Sequence, residues 1–217
     1  MKIIILVLSQ NDEGGIYSLF NKAQKETWDL EKVDGVITFY YYGNSNENKI
    51  IDKNIFTSVN EELYNCGHKT INAFEQIKSF DFDFLFRTNS SSYVDKQLLK
   101  EYLSNKPTTK YYSGVIGNHN GFNFASGSGY VITKDLVLQI IKDKTEINHS
   151  LIDDVSFAEL LKKKSILPSP NPRYDVIGDE LIPENYFHYR LKTENRLCDI
   201  INMYKIKMIK YGIYNRK

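Results

Sequence analysis

Asp81-Phe82-Asp83-Phe84-Leu85-Phe86-Arg87-Thr88-Asn89-Ser90-Ser91-Ser92-Tyr93-Val94-Asp95 holds the change of pattern around which the whole chain can be arranged. Phe82 to Phe86 has the aromatic, apolar character of a buried strand. It runs directly into a polar turn, Arg87 to Ser92, after which Leu98, Leu99 and Tyr102 recur at helical spacing. In open α/β sheets, ligands sit beyond the carboxyl ends of the strands, where the backbone leaves the sheet. The stretch reads either as a strand leading into a ligand-holding turn or as a strand, a Ser-rich turn and a helix with no ligand.

The flanking chain supplies the rest of the sheet. Lys2 to Ser9 is an apolar, β-branched run of strand length that ends in Ser9-Gln10-Asn11-Asp12 and Gly14-Gly15. Ile16 to Leu30 is predicted helical, with Leu19, Phe20, Ala23 and Thr27 on one face. Gly35 to Tyr42 is a second strand, and Asn44 to Lys53 reads as a polar loop. Glu61 to Phe80 is a helix with Leu63, Cys66, Thr70, Phe74 and Ile77 on one stripe. The order β, α, β, α, β predicts an α/β fold with a mostly parallel central sheet flanked by helices. Beyond it, Lys110 to Gly117 is a strand, Asn118 to Gly121 a turn, and Phe124 to Thr133 leads into a helix over Lys134 to Lys142. A further helix spans Asp153 to Lys164, its acidic start suiting the positive end of the helix dipole. Pro168, Pro170 and Pro172 mark an extended connector, and Tyr186 to Leu191 is a strand. Thr193 caps a last helix carrying Leu197, Ile200, Ile201, Tyr204 and Met208.

At 217 residues the chain fits one domain with a continuous core. A net charge of +1 points neither to a nucleic-acid coat nor to a generally acidic partner. Cys66 and Cys198 lack metal-site spacing and read as two buried, reduced cysteines. The apolar run after Met1 is too short to span a membrane and lacks a small-residue cleavage site, which predicts a cytoplasmic protein. Lys205, Lys207, Lys210, Arg216 and Lys217 make the last helix basic: either a solvated face or a peripheral contact with the inner face of an anionic membrane.

Five segments, in order, resemble the beta-1,3-galactosyltransferase and Fringe group of glycosyltransferases. Lys25-Glu26-Thr27-Trp28 is similar to that group's Thr-Trp motif, and Glu62-Leu-Tyr64-Asn-Cys-Gly-His-Lys69-Thr70 to its Tyr…Lys-Thr helix. Phe84 to Val94 falls where the group has a strand, Lys/Arg-Thr and an Asp cluster. Ala125-Ser-Gly-Ser-Gly-Tyr130-Val-Ile-Thr-Lys-Asp135 resembles its Ser-Gly-x-Gly-Tyr segment, and Asp153-Asp154-Val155 its Glu-Asp-Val motif. The resemblance covers roughly residues 1 to 190. It implies a single GT-A (Rossmann-like) domain: a nucleotide-binding half over about 1–117, an acceptor half over about 118–192 with a smaller antiparallel element, and a C-terminal helix over 193–217.

The resemblance also implies an inverting sugar transfer from a UDP- or GDP-type nucleotide sugar to a glycan or lipid-linked saccharide, as in the synthesis of capsule, lipopolysaccharide or a viral glycan. Asp154 matches the family's catalytic base, with Asp153 orienting or capping. Ser126, Gly127, Ser128, Gly129 and Tyr130 match a loop beneath the donor sugar and acceptor. Ser9 and Gln10, at the end of the first strand, fall where the nucleotide binds, and one ring of Tyr40 to Tyr42 could stack on its base.

The chain departs from the family where the metal-binding carboxylates belong. Asn89, Ser90 and Ser91 stand there instead. Asp81-Phe82-Asp83 spells the expected Asp-x-Asp but precedes the strand, which at about 3.3 Å per residue puts it at the opposite edge of the sheet. Asp95 is a stray carboxylate or a helix cap. Two outcomes remain open: a weakly held Mn²⁺ or Mg²⁺ on Asn89 and His188, or cations in its place, supplied by the segment His188 to Arg196 with Arg190, Lys192 and Arg196, and by Arg87 and Lys69 nearer the sheet. His68, His119 and His149 read as structural. The competing reading, from another class, is a non-catalytic module that kept the fold and binds a glycan or partner.

Overall fold

The computed structural model describes residues 1–178 and 181–213. In chain order the strands are β1 (Ile3–Leu8), β2 (Val36–Tyr42), β3 (Lys49–Ile51), β4 (Asn54–Phe56), β5 (Phe84–Asn89), β6 (Ser92–Val94), β7 (Tyr112–His119), β8 (Phe122–Thr133), β9 (Ser169–Pro170), β10 (Tyr174–Val176) and β11 (His188–Leu191). The helices are α1 (Ile16–Glu26), α2 (Cys66–Ile77), α3 (Lys96–Leu103), α4 (Lys134–Lys142), α5 (Asp153–Lys163) and α6 (Arg196–Lys210).

An eight-stranded sheet runs in the order β3-β4-β2-β1-β5-β8-β7-β9. Its centre is parallel, β1 pairing with β2 on one side and β5 on the other, while β8 joins β5 antiparallel. β1 is buried on both faces, which explains its unbroken apolar run. Ile3, Ile5 and Val7 enter one core with Phe20 of α1, Leu99 of α3 and Met203 of α6. Ile4 and Leu6 enter the other, with Phe74, Leu136 and Phe157 from α2, α4 and α5. A three-stranded sheet, β10-β11-β6, covers the far side of the turn after β5.

Several local expectations shift. β5 extends to Asn89, so Arg87 and Thr88 are strand residues and the turn shrinks to Ser90 and Ser91. The expected loop Asn44 to Lys53 contains β3, which with β4 forms an edge hairpin turned by Asp52 at φ 53°. β9 and β10 lie within the Pro-rich connector. The first helix stops at Glu26, followed by a 3₁₀ turn at Trp28–Leu30. Asn195 rather than Thr193 caps α6, accepting from Leu197 N at 2.9 Å. Asp199 is drawn inward by Thr193 and Arg196, which rotates α6 so that Met203, Ile206 and Ile209 are buried and Leu197 and Ile201 are exposed.

Asp95 is the N-cap of α3, accepting from Leu98 N at 3.0 Å. Asp81 and Asp83 pair with Lys2 at the opposite end of β5 from Asn89. Among the described residues, no helix is long and apolar enough to cross a membrane. Lys207 donates to Glu26 O at 2.7 Å and Lys210 pairs with Asp95 at 2.5 Å, so much of the described basic end is engaged within the fold. Arg216 and Lys217 lie outside the described residues.

Candidate active site

After β1 the chain goes to β2 on one side and only later returns to β5 on the other. Such a reversal opens a crevice beyond the carboxyl ends of the strands. A cleft of about 320 Å³ occupies that place, lined by Ser9 and Gln10 after β1, Asn89, Ser90 and Ser91 after β5, Cys66 and Lys69 of α2, Glu61, and Arg196 at the start of α6. A second hollow of about 550 Å³ shares Gln10 and is bordered by Lys22, Lys25, Tyr42 and Phe56. Tyr42 stacks on Phe56 at 5.7 Å between ring centres; Tyr40, Tyr41 and Tyr42 are all largely buried, and Tyr42 is the one that borders the hollow.

The turn after β5 is held from beneath. Gln24, buried on α1, donates its amide to the carbonyls of Asn89, Ser90 and Ser92 at 3.2, 3.1 and 3.0 Å, and Trp28 Nε1 donates to Ser92 O at 3.1 Å. These bonds turn carbonyl oxygens towards the core and away from any anion in the cleft. From above, Arg196 Nη2 donates to Ser91 Oγ at 2.7 Å, with Nη1 on Asp199 at 2.5 Å. Lys69 donates to Ser9 O at 2.9 Å and is paired with Glu61, whose other oxygen accepts from Gly43 N at 2.6 Å.

Arg87, expected to face a diphosphate, is instead a buried hub. Its Nε donates to Tyr41 OH at 3.1 Å, Nη1 to Gly127 O, and Nη2 to Asp153 Oδ2 at 2.5 Å. Asp153 also accepts from Thr70 Oγ1 at 3.2 Å. The donors of Arg87 are thus directed into the fold, and Asp153 serves to hold it.

Ser126 to Gly129 form a bulge in β8 rather than a free loop. Gly114 pairs with Tyr130 and Ile116 with Ala125, so these residues stand opposite Val115 alone. The bulge lets two groups close in. A Cβ on Gly127 would stand 3.0 Å from Asp154 Oδ2, and one on Gly129 would overlap the His188 ring. Asp154, almost buried at the start of α5, accepts from Gly127 N at 2.6 Å and from Val155 N at 2.9 Å. Burial and then the neighbouring Asp153 charge hold its pKa above the ordinary carboxylate value, against the pull of the Gly127 amide. Each carboxylate oxygen keeps a second lone pair, so a hydroxyl could still donate to it. Asp154 lies beside the cleft lining rather than within it.

His188 and Arg190 project from β11 towards this bulge. His188 is fully buried, with Nε2 at 3.0 Å from Ser92 Oγ and no partner for Nδ1 among the described residues. Burial, then the charges of Arg173 and Arg190, push its pKa well below the usual imidazole value. Arg190 is half-buried and Lys192 exposed, and neither lines the cleft.

No protein-family profile matches the chain, and no curated protein sequence does. Solved structures match. A glycosyltransferase involved in the glycosylation of the major capsid of PBCV-1 superposes with a TM-score of 0.58 over 94% of this chain and 100% of its own, at 12% identity. The fold is glycosyltransferase-like. Glycosyltransferase GlyE of Streptococcus pneumoniae TIGR4 gives a TM-score of 0.47 at 12% identity, over 79% of this chain and 45% of that one. The inositol-1-phosphate CTP transferase from T. maritima gives 0.46 at 11% identity, over 99% and 98%.

The divalent ion that the family resemblance implies is poorly matched by the cleft's side chains. Hard cations favour several oxygen ligands, carboxylates foremost. Here Asn89 Oδ1 already accepts from Ser91 N at 3.0 Å, Glu61 is occupied by Lys69 and Gly43, and His188 is buried outside the cleft. Among the described residues, no three His, Cys, Asp or Glu side chains converge as metal ligands.

The cysteines differ from expectation: Cys66 is half-buried at the cleft and Cys198 is exposed. His68 and His149 stack on each other at 3.5 Å, and His119 lies against Phe122. Two supporting residues escaped the sequence reading. Gln24 left a signal, being a polar residue on the buried face of an amphipathic helix. Arg173, within the Pro-rich connector, left none.

Proposed function

We propose that the chain is an inverting glycosyltransferase that moves a sugar from a nucleotide sugar to a saccharide hydroxyl, the role implied by its likeness to the beta-1,3-galactosyltransferase and Fringe group. The observation that carries this reading is the cleft at the strand reversal beyond β1 and β5, which gathers Ser9, Gln10, Lys69, Asn89, Ser90, Ser91 and Arg196. The diphosphate lies against the Ser90–Ser91 turn, whose carbonyls are directed away from it. Arg196, partly exposed at the cleft, supplies positive charge for a departing diphosphate, while Lys69 is spent on Glu61 and Ser9 O and shapes the wall. Arginine suits this work because its fork matches phosphate oxygens in pairs and keeps its charge. The nucleoside extends into the adjoining hollow, against Tyr42.

Asp154 acts as the base. The acceptor hydroxyl gives its proton to Oδ1 or Oδ2 as its oxygen attacks the anomeric carbon, and the bond to the diphosphate breaks on the opposite side. A carboxylate whose pKa is raised is a stronger base than an ordinary one. The wider role, building a surface glycan on a lipid-linked or glycan acceptor, follows the same resemblance.

Thermal unfolding against a panel of nucleoside diphosphates and nucleotide sugars, in manganese and then in EDTA, tests the reading. Stabilisation that survives EDTA supports the cationic site. Stabilisation confined to manganese would return a divalent ion to the diphosphate. No response to any nucleotide would overturn the enzyme reading in favour of a binding module.

A further inference from the structure

The face of the small sheet that meets the Ser126–Gly129 bulge carries more guanidinium than carboxylate. Arg173, just before β10, is nearly buried. Its Nε and Nη2 grip the two oxygens of Asp175 at 2.5 and 3.0 Å, while Nη1 donates to Ser126 Oγ at 3.4 Å and to Ser128 Oγ. Arg190 stands opposite Asp175 in the β10–β11 pairing but reaches it only at 3.8 Å, beyond hydrogen-bond range. Among the described residues that carboxylate is its one ionic partner, and Arg173 already occupies both oxygens. Arg196, the next arginine, is answered by Asp199 at 2.5 Å. Lys192, exposed just past β11, adds a cation.

Arg190 is therefore a half-buried fork, 29% exposed, with no side-chain hydrogen bond to any of the described residues. Partial burial and then the charge of Arg173 press against its protonated form. Two guanidinium groups facing one carboxylate leave this corner with excess positive charge. Arg190 is not among the residues lining the donor cleft, so an anion held by it would sit apart from one bound there. We propose that Arg190, flanked by Arg173 and Lys192, is an oxyanion subsite that takes the phosphate or carboxylate of an acidic acceptor saccharide. That the anion belongs to the acceptor rests on the transferase reading; the oxyanion site does not. The subsite abuts the Ser126–Ser128 bulge, whose Gly127 holds the base Asp154, so an acceptor anchored there would bring a hydroxyl towards that base.

Calorimetric titration of the full chain with glycerol phosphate and, separately, with glucuronate tests the site and separates the two anion sources. The wild type is expected to bind at least one of them. Arg190→Gln should weaken that binding about tenfold, the scale of a lost charge-assisted hydrogen bond. Arg190→Lys, which keeps charge but not the fork, should weaken it less and guards against a folding defect in the first variant. Arg196→Gln should leave it within about twofold. Binding lost in Arg196→Gln and intact in Arg190→Gln would overturn the proposal, as would no binding of either probe at millimolar concentration. Nucleoside diphosphate binding measured on the same variants reports the donor cleft separately: it should persist in Arg190→Gln. Its absence in the wild type would overturn the transferase reading while leaving the oxyanion site standing.

Discussion

Asp154 shows how burial can serve chemistry at the expense of stability. Its folded pKa is raised, first by burial and then by Asp153. Between its ordinary value and that raised one, the native state holds the proton more tightly than the unfolded chain does. Stability from this group therefore falls as pH rises through that window and stays low above it. Over the same window the ionised base accumulates, so transfer should speed up as stability declines. Asp154→Asn removes both trends. It should bind nucleotide normally and transfer at least about 100-fold more slowly, the lower range for loss of a general base. Urea unfolding of variant and wild type from acid to neutral pH should show the variant gaining relative stability as pH rises. A relative loss would mean that the Gly127 and Val155 amides dominate and that Asp154 is a structural acceptor. Arg190 needs no such trade, because its cost is open to repayment by a bound anion.

At the scale of elements, the bulge in β8 decides how close the base and the small sheet approach the main sheet. Gly129 sits where a methyl group would overlap the His188 ring, itself backed by Phe86 at 5.2 Å between ring centres. Gly129→Ala should cost about 1–3 kcal/mol of stability, the usual range for overpacking. In a His188→Ala background the same substitution should cost much less, since the ring it strikes is gone. Equal costs in the two backgrounds, measured by urea unfolding, would show that the glycine accommodates something else. The parallel centre of the sheet was legible because β1 and the first half of β5 are apolar runs, and β2 is rich in β-branched and aromatic residues, each set between amphipathic helices. The bulge was not, because Ser-Gly-Ser-Gly spells a turn locally, and only the register with β7 makes it a strand. Asn120-Gly121, with φ of 46° and 79°, is a hairpin turn that local chemistry does specify. The donor cleft could be placed from strand ends alone. The inward fate of Arg87 could not, since a charged residue after an apolar strand looks the same whether its partner is a ligand or Asp153. Arg173 was hidden for a related reason: Asp175 is local to it, but Ser126 and Ser128 reach it only through the tertiary fold.

For the whole molecule, the hub at Arg87 joins elements that are distant in sequence. Through it β5 meets β2 at Tyr41, β8 at Gly127, α5 at Asp153 and, by way of Asp153, α2 at Thr70. Tyr41 OH and Thr70 Oγ1 close the ring at 2.9 Å. The hub holds Gly127, whose amide binds the base Asp154, and Thr70, which follows the cleft residue Lys69 on α2, so the two halves of the candidate site share one polar support. Desolvating an ion pair consumes much of its attraction, but removing one member leaves the other charged, buried and unmatched. Arg87→Met should accordingly cost about 3–5 kcal/mol by leaving Asp153 unpaired. Asp153→Asn alone strands the guanidinium and should cost a similar amount. The double variant replaces both charges and should be more stable than the sum of the single losses predicts, giving a coupling of about 1–3 kcal/mol in a double-mutant cycle. The cycle is best read from urea midpoints at one fixed pH for all four proteins. Additive losses would show that Arg87 and Asp153 are each held by their other neighbours. In that case the fold would keep its two site halves together through the apolar cores alone.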